Sequence, residues 1–278
     1  MYGMLVTFMA PFVALGTLLA MSRSSERAAA AVKEEVRIMP VASTPESNTI
    51  LLAIARPKEG EVLSDNPVWI QFRIDGFSLG ADSSQFERAD QIPVGDMGQT
   101  VRVVVDSDFY FSVNEPTIDP FNENGYYYDT SYKFELPSSL KPGMHTLRMF
   151  PARSFGESLK GENTFVAATF FVGGMTPKLD VDFSAPFLTY NQPSDEVDWN
   201  QKQPILLDFL VANCELTPDG YWVRLTLDGK VKRSLTSWQP YYIYGLSKGK
   251  HTIRLELMNG KSLVPGLFNA AERTISVQ

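Results

Sequence analysis

The sequence predicts an all-β chain made of two copies of one strand-rich module, and three observations carry that prediction. Gly143-Met144-His145-Thr146-Leu147-Arg148 returns as Gly249-Lys250-His251-Thr252-Ile253-Arg254, 106 positions later, and a repeat of this kind is read before any other signal. The two segments hold the only two histidines in 278 residues. From about Thr49 onward, short runs of alternating apolar and polar residues are divided by Gly, Pro, Asn and Asp, which is the period-two signature of half-buried strands. Helical periodicity is missing from the same region.

The chain opens on a different texture. Met4 to Met21 form an uncharged run bounded after Ser22 by Arg23, and such a run reads as an apolar helix that is either a secretory signal peptide or a membrane anchor over 1–22. Ala20-Met21-Ser22 and Ala14-Leu15-Gly16 offer small-x-small cleavage sites, while Met1-Tyr2-Gly3 lacks the basic residue of a typical leader. No cysteine follows the run, which excludes a lipoprotein anchor. Arg23 and Arg27 behind it favour a cytoplasmic C-terminal side by the positive-inside tendency, yet tandem sandwiches favour export. Membrane contact through this segment and an extracytoplasmic, cell-envelope location are therefore expected. Residues 23–48 read as a stalk: Ser25 can cap a short Ala- and Glu-rich helix, and Pro40 and Pro45 end it.

The first module, 49–173, has six expected strands: Ile50 to Ala55, Val68 to Ile74, Val101 to Asp106, Tyr132 to Leu136, His145 to Phe150 and Phe165 to Val172. Gly173-Gly174-Met175-Thr176-Pro177 supplies a hinge over 174–177, and 178–278 restates the module. Pro204 to Phe209 answers Pro67 to Phe72, Val223 to Asp228 answers Val101 to Asp106, and the histidine strands follow. The offset between copies falls from 137 to 122 to 106 along these matches, so the first copy carries two insertions, near Phe77 to Gln99 and near Phe109 to Tyr128. In each copy a turn glycine leads into a strand whose apolar face the histidine opens. His145 and His251 are read as structural groups bonded to neighbouring loops.

Composition removes several function classes. With 44% apolar and 21% charged residues the chain can bury ordinary cores, and a net charge of −7 opposes a nucleic-acid partner. Cys214 is the single cysteine, so no intrachain disulfide forms. There is no HExxH, CxxC or phosphate loop; Gly156-Glu157-Ser158-Leu159-Lys160 starts like a nucleophile elbow but lacks its closing glycine. No cofactor and no catalysis are expected. Asp106, Asp108, Asn114, Glu115, Asp119, Asn122 and Glu123 could offer oxygen ligands to calcium, although Pro120 breaks an EF-hand register.

The turn glycine, the His-Thr-aliphatic-Arg strand and the alternating last strand Thr274-Ile275-Ser276-Val277 resemble Ig-like or fibronectin-III-like β-sandwich modules of bacterial envelope and secreted proteins. That resemblance covers about 230 residues and implies two tandem Ig-like antiparallel β-sandwiches acting as spacers, adhesion units or carbohydrate-binding accessories. It also places the loop after the second strand and the loop before the last at one end. In the first module these hold Asp82, Glu87 and Asp90, and Arg153, Glu157 and Lys160, the expected binding surface for an unidentified protein. A glycan is the alternative partner, met by aromatics such as Tyr126, Tyr127 and Trp238; an enzyme of unrecognised type is the third reading.

Overall fold

Alternation of side chains decides the architecture seen in the computed structural model, which describes residues 35–64, 66–107, 109–115, 131–174, 181–194 and 199–278. In chain order the strands are β1 (Arg37–Pro40), β2 (Leu51–Arg56), β3 (Glu61–Leu63), β4 (Trp69–Asp75), β5 (Thr100–Val105), β6 (Phe109–Val113), β7 (Ser131–Glu135), β8 (Gly143–Ala152) and β9 (Val166–Val172). There follow β10 (Phe187–Gln192), β11 (Ile205–Ala212), β12 (Tyr221–Leu227), β13 (Lys230–Leu235), β14 (Tyr241–Tyr244), β15 (Gly249–Asn259), β16 (Ser262–Leu263) and β17 (Ala270–Val277). One helical turn, α1 (Arg88–Gln91), interrupts them.

The first sandwich sets the sheet β2-β4-β7 against the sheet β3-β9-β8-β5-β6. Ile70, Phe72 and Ile74 of β4 face Val103, Leu147, Met149 and Phe170 across a closed core, each fully buried side chain contributing about 1.5–3 kcal/mol. In the second sandwich β1-β14-β11-β10 faces β13-β12-β15, with β17 and then β16 along the edge of β15 opposite β12. Counting only the strands the copies share, each has its first, second and fifth strands in one sheet and its fourth, third, sixth and seventh in the other. That order is an immunoglobulin-like sandwich with the fourth strand in the sheet of the third instead of that of the first, and it occurs twice.

The two hairpins that correspond between copies show how sequence sets the turn. Leu227 pairs with Lys230, leaving the two-residue loop Asp228-Gly229 with φ of 49° and 72°, as a type I′ turn requires. In the first copy Val105 pairs with Phe109, so the loop is one residue longer, and Asp106 takes the left-handed conformation at φ 55°. Phe109–Val113, read from the sequence as the start of an insertion, is therefore the partner of β5, and the insertion begins after it.

Residues 23–48 are corrected in their described part: they are not a free stalk. β1 pairs with β14 from Arg37↔Tyr244 to Pro40↔Tyr241, and Ile38 enters the core of the second sandwich. A branched apolar residue between Arg37 and Met39 suits an edge strand, a signal hidden by the prolines around it. The chain then runs from the second sandwich to the first before the first sandwich begins.

Val36–Gln278 form one compact unit, because the sandwiches pack side by side. Thr146, Arg148, Phe150 and Ala152 on the outer face of β8 are all buried, as are Thr189, Asn191, Leu206, Asp208 and Leu210 on β10 and β11. Phe150, Val104 and Leu210 make a small apolar cluster there, and Ile92 and Phe155 of the first sandwich join the second core. The expected N-terminal apolar helix lies outside the described residues. Among those residues no helix is long and apolar enough to cross a membrane.

Candidate functional site

The insertion after β4 is built by its own backbone before any side chain acts. Gly80 N–H donates to Gln99 O at 2.8 Å and Gln99 N–H to Ala81 O at 2.8 Å, closing the loop at its base. Gly98, at φ +65°, is the crowded point: a Cβ there would stand 2.3 Å from Gly80 O. The loop before the last strand meets this insertion, since Gly95 N–H donates to Ser154 O at 2.8 Å and Ser154 N–H to Ser83 Oγ at 3.2 Å. The two loops thus share one end of the first sandwich.

Beneath them runs a buried polar seam between the sandwiches. Arg88 of α1 donates to Glu157, to the phenolic oxygen of Tyr242 and to the carbonyl of Ala42, while Glu157 also accepts from Thr44 N–H at 2.8 Å. Burial pushes the Glu157 carboxyl up, opposed by the Arg88 guanidinium and the Thr44 N–H. Arg153 spans Gln99 Oε1 at 2.6 Å and Pro45 O at 2.7 Å, its guanidinium 4.6 Å from the Phe86 ring centroid. Lys160 Nζ donates to Asp208 Oδ1 at 2.5 Å, and the other Asp208 oxygen accepts from Ser158 N–H at 3.0 Å and Asn191 Nδ2 at 2.7 Å. Charges taken out of water need partners of this kind to be tolerated, and Arg153 Nε is buried without one among the described residues.

This geometry sorts the expected binding residues. Asp82, Glu87 and Asp90 are exposed on the insertion. Arg153, Glu157 and Lys160 are not surface groups: Glu157 is wholly buried and the Lys160 side chain is 7% exposed, because the 77–99 insertion and the entry segment close over Arg153 and Glu157 and the second sandwich meets Lys160 through Asp208. Trp238 is part-buried, donates Nε1–H to Phe209 O at 3.0 Å and packs on the apolar clusters, which removes it as a free aromatic platform. Tyr126 and Tyr127 lie outside the described residues. Sequence reasoning missed Arg88 and Asp208; an acid interrupting the apolar run Ile205-Leu206-Leu207-Asp208-Phe209 was the visible sign.

Each histidine closes an equivalent bracket. His145 Nδ1 is 2.8 Å from Asp106 Oδ2 and Nε2 is 2.7 Å from Lys141 O, and Thr146 N–H donates to Asp106 Oδ1 at 2.9 Å. His251 repeats this with Asp228 Oδ2 at 2.8 Å, Ser247 O at 2.8 Å and Thr252 N–H to Asp228 Oδ1 at 2.9 Å. Burial alone would raise the Asp106 carboxyl, yet the bonds from His145 and Thr146 together hold it below its ordinary value. Bonding to Asp106 raises His145, partly offset by burial. Both ring nitrogens of each imidazole are occupied, so neither is placed to work on a ligand.

Of the calcium candidates, Asp106 is engaged in its bracket, Asn114 Nδ2–H donates to Met97 O at 2.9 Å and Glu115 is exposed; Asp108, Asp119, Asn122 and Glu123 lie outside the described residues. Among the described residues no three His, Cys, Asp or Glu side chains group as metal ligands. A cleft of about 190 Å³ lies between Phe183, Phe187, Phe268 and Leu267, and its one acid, Asp182, caps its own loop by accepting from Ser184.

No protein-family model matches the chain, and no curated protein matches it. Among solved structures it is similar to the fibronectin(III)-like modules of Clostridium thermocellum CbhA, at 13% identity over 82% of this chain and 93% of that one, with a TM-score of 0.25. It is similar also to SGBP-B of the Bacteroides ovatus mixed-linkage glucan utilization locus, solved with a mixed-linkage heptasaccharide, at 14% identity over 88% of this chain and 48% of that one, TM-score 0.19. A chimeric titin Z1Z2 tandem gives 10% identity over 81% and 97%, TM-score 0.22. The assignment of two Ig-like or fibronectin-III-like sandwiches rests on the strand order of the chain itself.

Proposed function

We propose that this chain is a non-catalytic binding or structural protein of the cell envelope, held at a membrane by the apolar run near its N-terminus, and that the 77–99 insertion meets a protein partner. One observation carries the reading: Arg88 is clamped from three sides by Glu157, Tyr242 and Ala42, while Asp82, Glu87 and Asp90 on either side of it stand in solvent. A loop fixed in advance loses little conformational freedom on association, and its acidic groups suit a partner that presents cations. Charge on the rim chiefly sets on-rate and specificity, and a fixed loop sets the register. Both histidines are bonded at both nitrogens, and Ser158 and Asp208 are wholly buried in the seam, which supports a non-catalytic role.

The test is cross-linking of the full chain in its own membranes, followed by mass spectrometry, with Asp82→Lys/Glu87→Lys/Asp90→Lys alongside. A defined protein partner whose cross-links fall on 77–99 and disappear in the triple variant is the expected result. Capture of the same partner by the triple variant, with cross-links elsewhere, would move the binding surface off this loop.

A further inference from the structure

The acidic balance of the chain reverses at one corner of the second sandwich. Lys230 and Lys232 on β13, and Lys248 and Lys250 at the turn into β15, are exposed and have no ion-pair partner among the described residues. The pairing of the strands gathers them. Lys230 stands opposite Leu227 at the hairpin end of β12, and Arg37 stands opposite Tyr244, five residues before Gly249. Arg233 bonds the Ile38 carbonyl, which fastens edge strand β13 beside edge strand β1. Asp228, the acid of this hairpin, is bonded to His251 and Thr252, and the charge of Lys232 also bears on it.

One apolar side chain stands among these cations: Val231, between Lys230 and Lys232, is 66% exposed and points outward from its sheet, opposite Thr226. Charged edges are a common guard against strand pairing, but such a guard has no use for a valine in water. Cations interleaved with exposed apolar groups are the composition of surfaces that sit at a lipid interface. The chain also enters this unit here, at Val36, and the uncharged run Met4 to Met21 precedes it in sequence.

We infer that this corner, made of Arg37, Lys230, Lys232, Lys248 and Lys250 with Val231, docks on an anionic phospholipid surface. The inference rests on the reading that the chain is held at a membrane, and it adds an orientation. The C-terminal sandwich lies against the bilayer, although the first sandwich is nearer the apolar run in sequence.

Hydrogen exchange on the full chain in lipid nanodiscs tests this. Protection of residues 227–235 and 246–252 in discs containing phosphatidylglycerol, absent in phosphatidylcholine discs and lost in high salt, is expected. Lys230→Gln/Lys232→Gln should weaken the association about 25-fold, at roughly fivefold for each cation near an anionic surface. Equal exchange in both lipids, or full protection retained in the double variant, would overturn the inference. If the full chain does not enter discs at all, the anchoring reading fails by itself. Sedimentation of the chain with phosphatidylglycerol vesicles but not phosphatidylcholine vesicles would then still support the corner, and sedimentation with neither would overturn it. Protection by duplex DNA without protection by lipid would overturn it as well.

Discussion

Replacing Asp208 by alanine tests whether the two sandwiches work as one body. In the wild-type chain the carboxylate takes Lys160 on one oxygen and Ser158 and Asn191 on the other, with Asp208 itself fully buried. The alanine leaves the Lys160 ammonium, 7% exposed, without its carboxylate partner, together with an unmatched Ser158 N–H. Breaking one partner of a buried pair costs about 3–5 kcal/mol. For a unit of this size each kcal/mol lowers Tm by about 2–4 °C, so a fall of roughly 6–20 °C is expected in thermal unfolding followed by circular dichroism. Asp208→Leu with Lys160→Met removes both charges and should recover most of the loss, because an apolar pair of similar volume stands in for a buried ion pair at little cost. A fall below about 2 °C for Asp208→Ala would mean that water enters the seam and that the sandwiches are not locked by it.

Three further outcomes follow from the same geometry. The His145–Asp106 bracket contributes fully between about pH 4 and 6.5. It weakens as pH rises through the elevated His145 value and again as pH falls through the depressed Asp106 value, so the urea midpoint should drop from pH 6 to pH 9 by less in His145→Gln than in the wild type. Gly98→Ala forces a Cβ to within 2.3 Å of Gly80 O and should raise hydrogen exchange across 80–98 while β12, β15 and β17 exchange as before; unchanged exchange in the insertion would refute its closed base. Phe150→Glu buries a carboxylate between Val104 and Leu210 and should cost upward of about 3 kcal/mol in chemical denaturation, whereas Glu256→Phe at the matching place in the second copy should cost far less.

Strand content was legible because apolar alternation is a local property. The six expected strands of the first module all form, and the repeat placed Val101 to Asp106 against Val223 to Asp228. The pairing of Asp106 with His145 and of Asp228 with His251 was not readable, since it joins residues 39 and 23 positions apart through a turn whose shape the sequence only hints at. The short strands β1 and β3 escaped because Pro40, and Gly60 with Glu61, mask runs too brief to show a period. The largest misreading was of Arg153, Glu157 and Lys160. Polar residues in a glycine-bearing loop are nearly always solvated, and only the closure of the 77–99 insertion, the entry segment and the second sandwich over that loop makes them interior.

That packing can be traced to the divergence between the two copies. Outward-facing Thr146, Arg148 and Phe150 on β8 match Thr252, Arg254 and Glu256 on β15. In the second copy Arg254 and Glu256 pair with each other and with Arg224 and Glu272 on a part-exposed sheet face. In the first, Phe150 replaces the acid, and Arg148 donates instead to Thr189 Oγ1 at 3.0 Å and to Asp106 O at 2.6 Å, over the Phe268 ring. An exchange of one charged residue for a large apolar one on a surface strand is what turns a solvated sheet face into an interface. The match of Phe150 to Glu256 therefore identifies which face of which copy is covered, and it accounts for an arginine that stays buried among carbonyl, hydroxyl and ring partners. Sandwiches joined this way present the 77–99 insertion and the Lys230 corner at a fixed separation, so a partner held by one is positioned with respect to whatever holds the other.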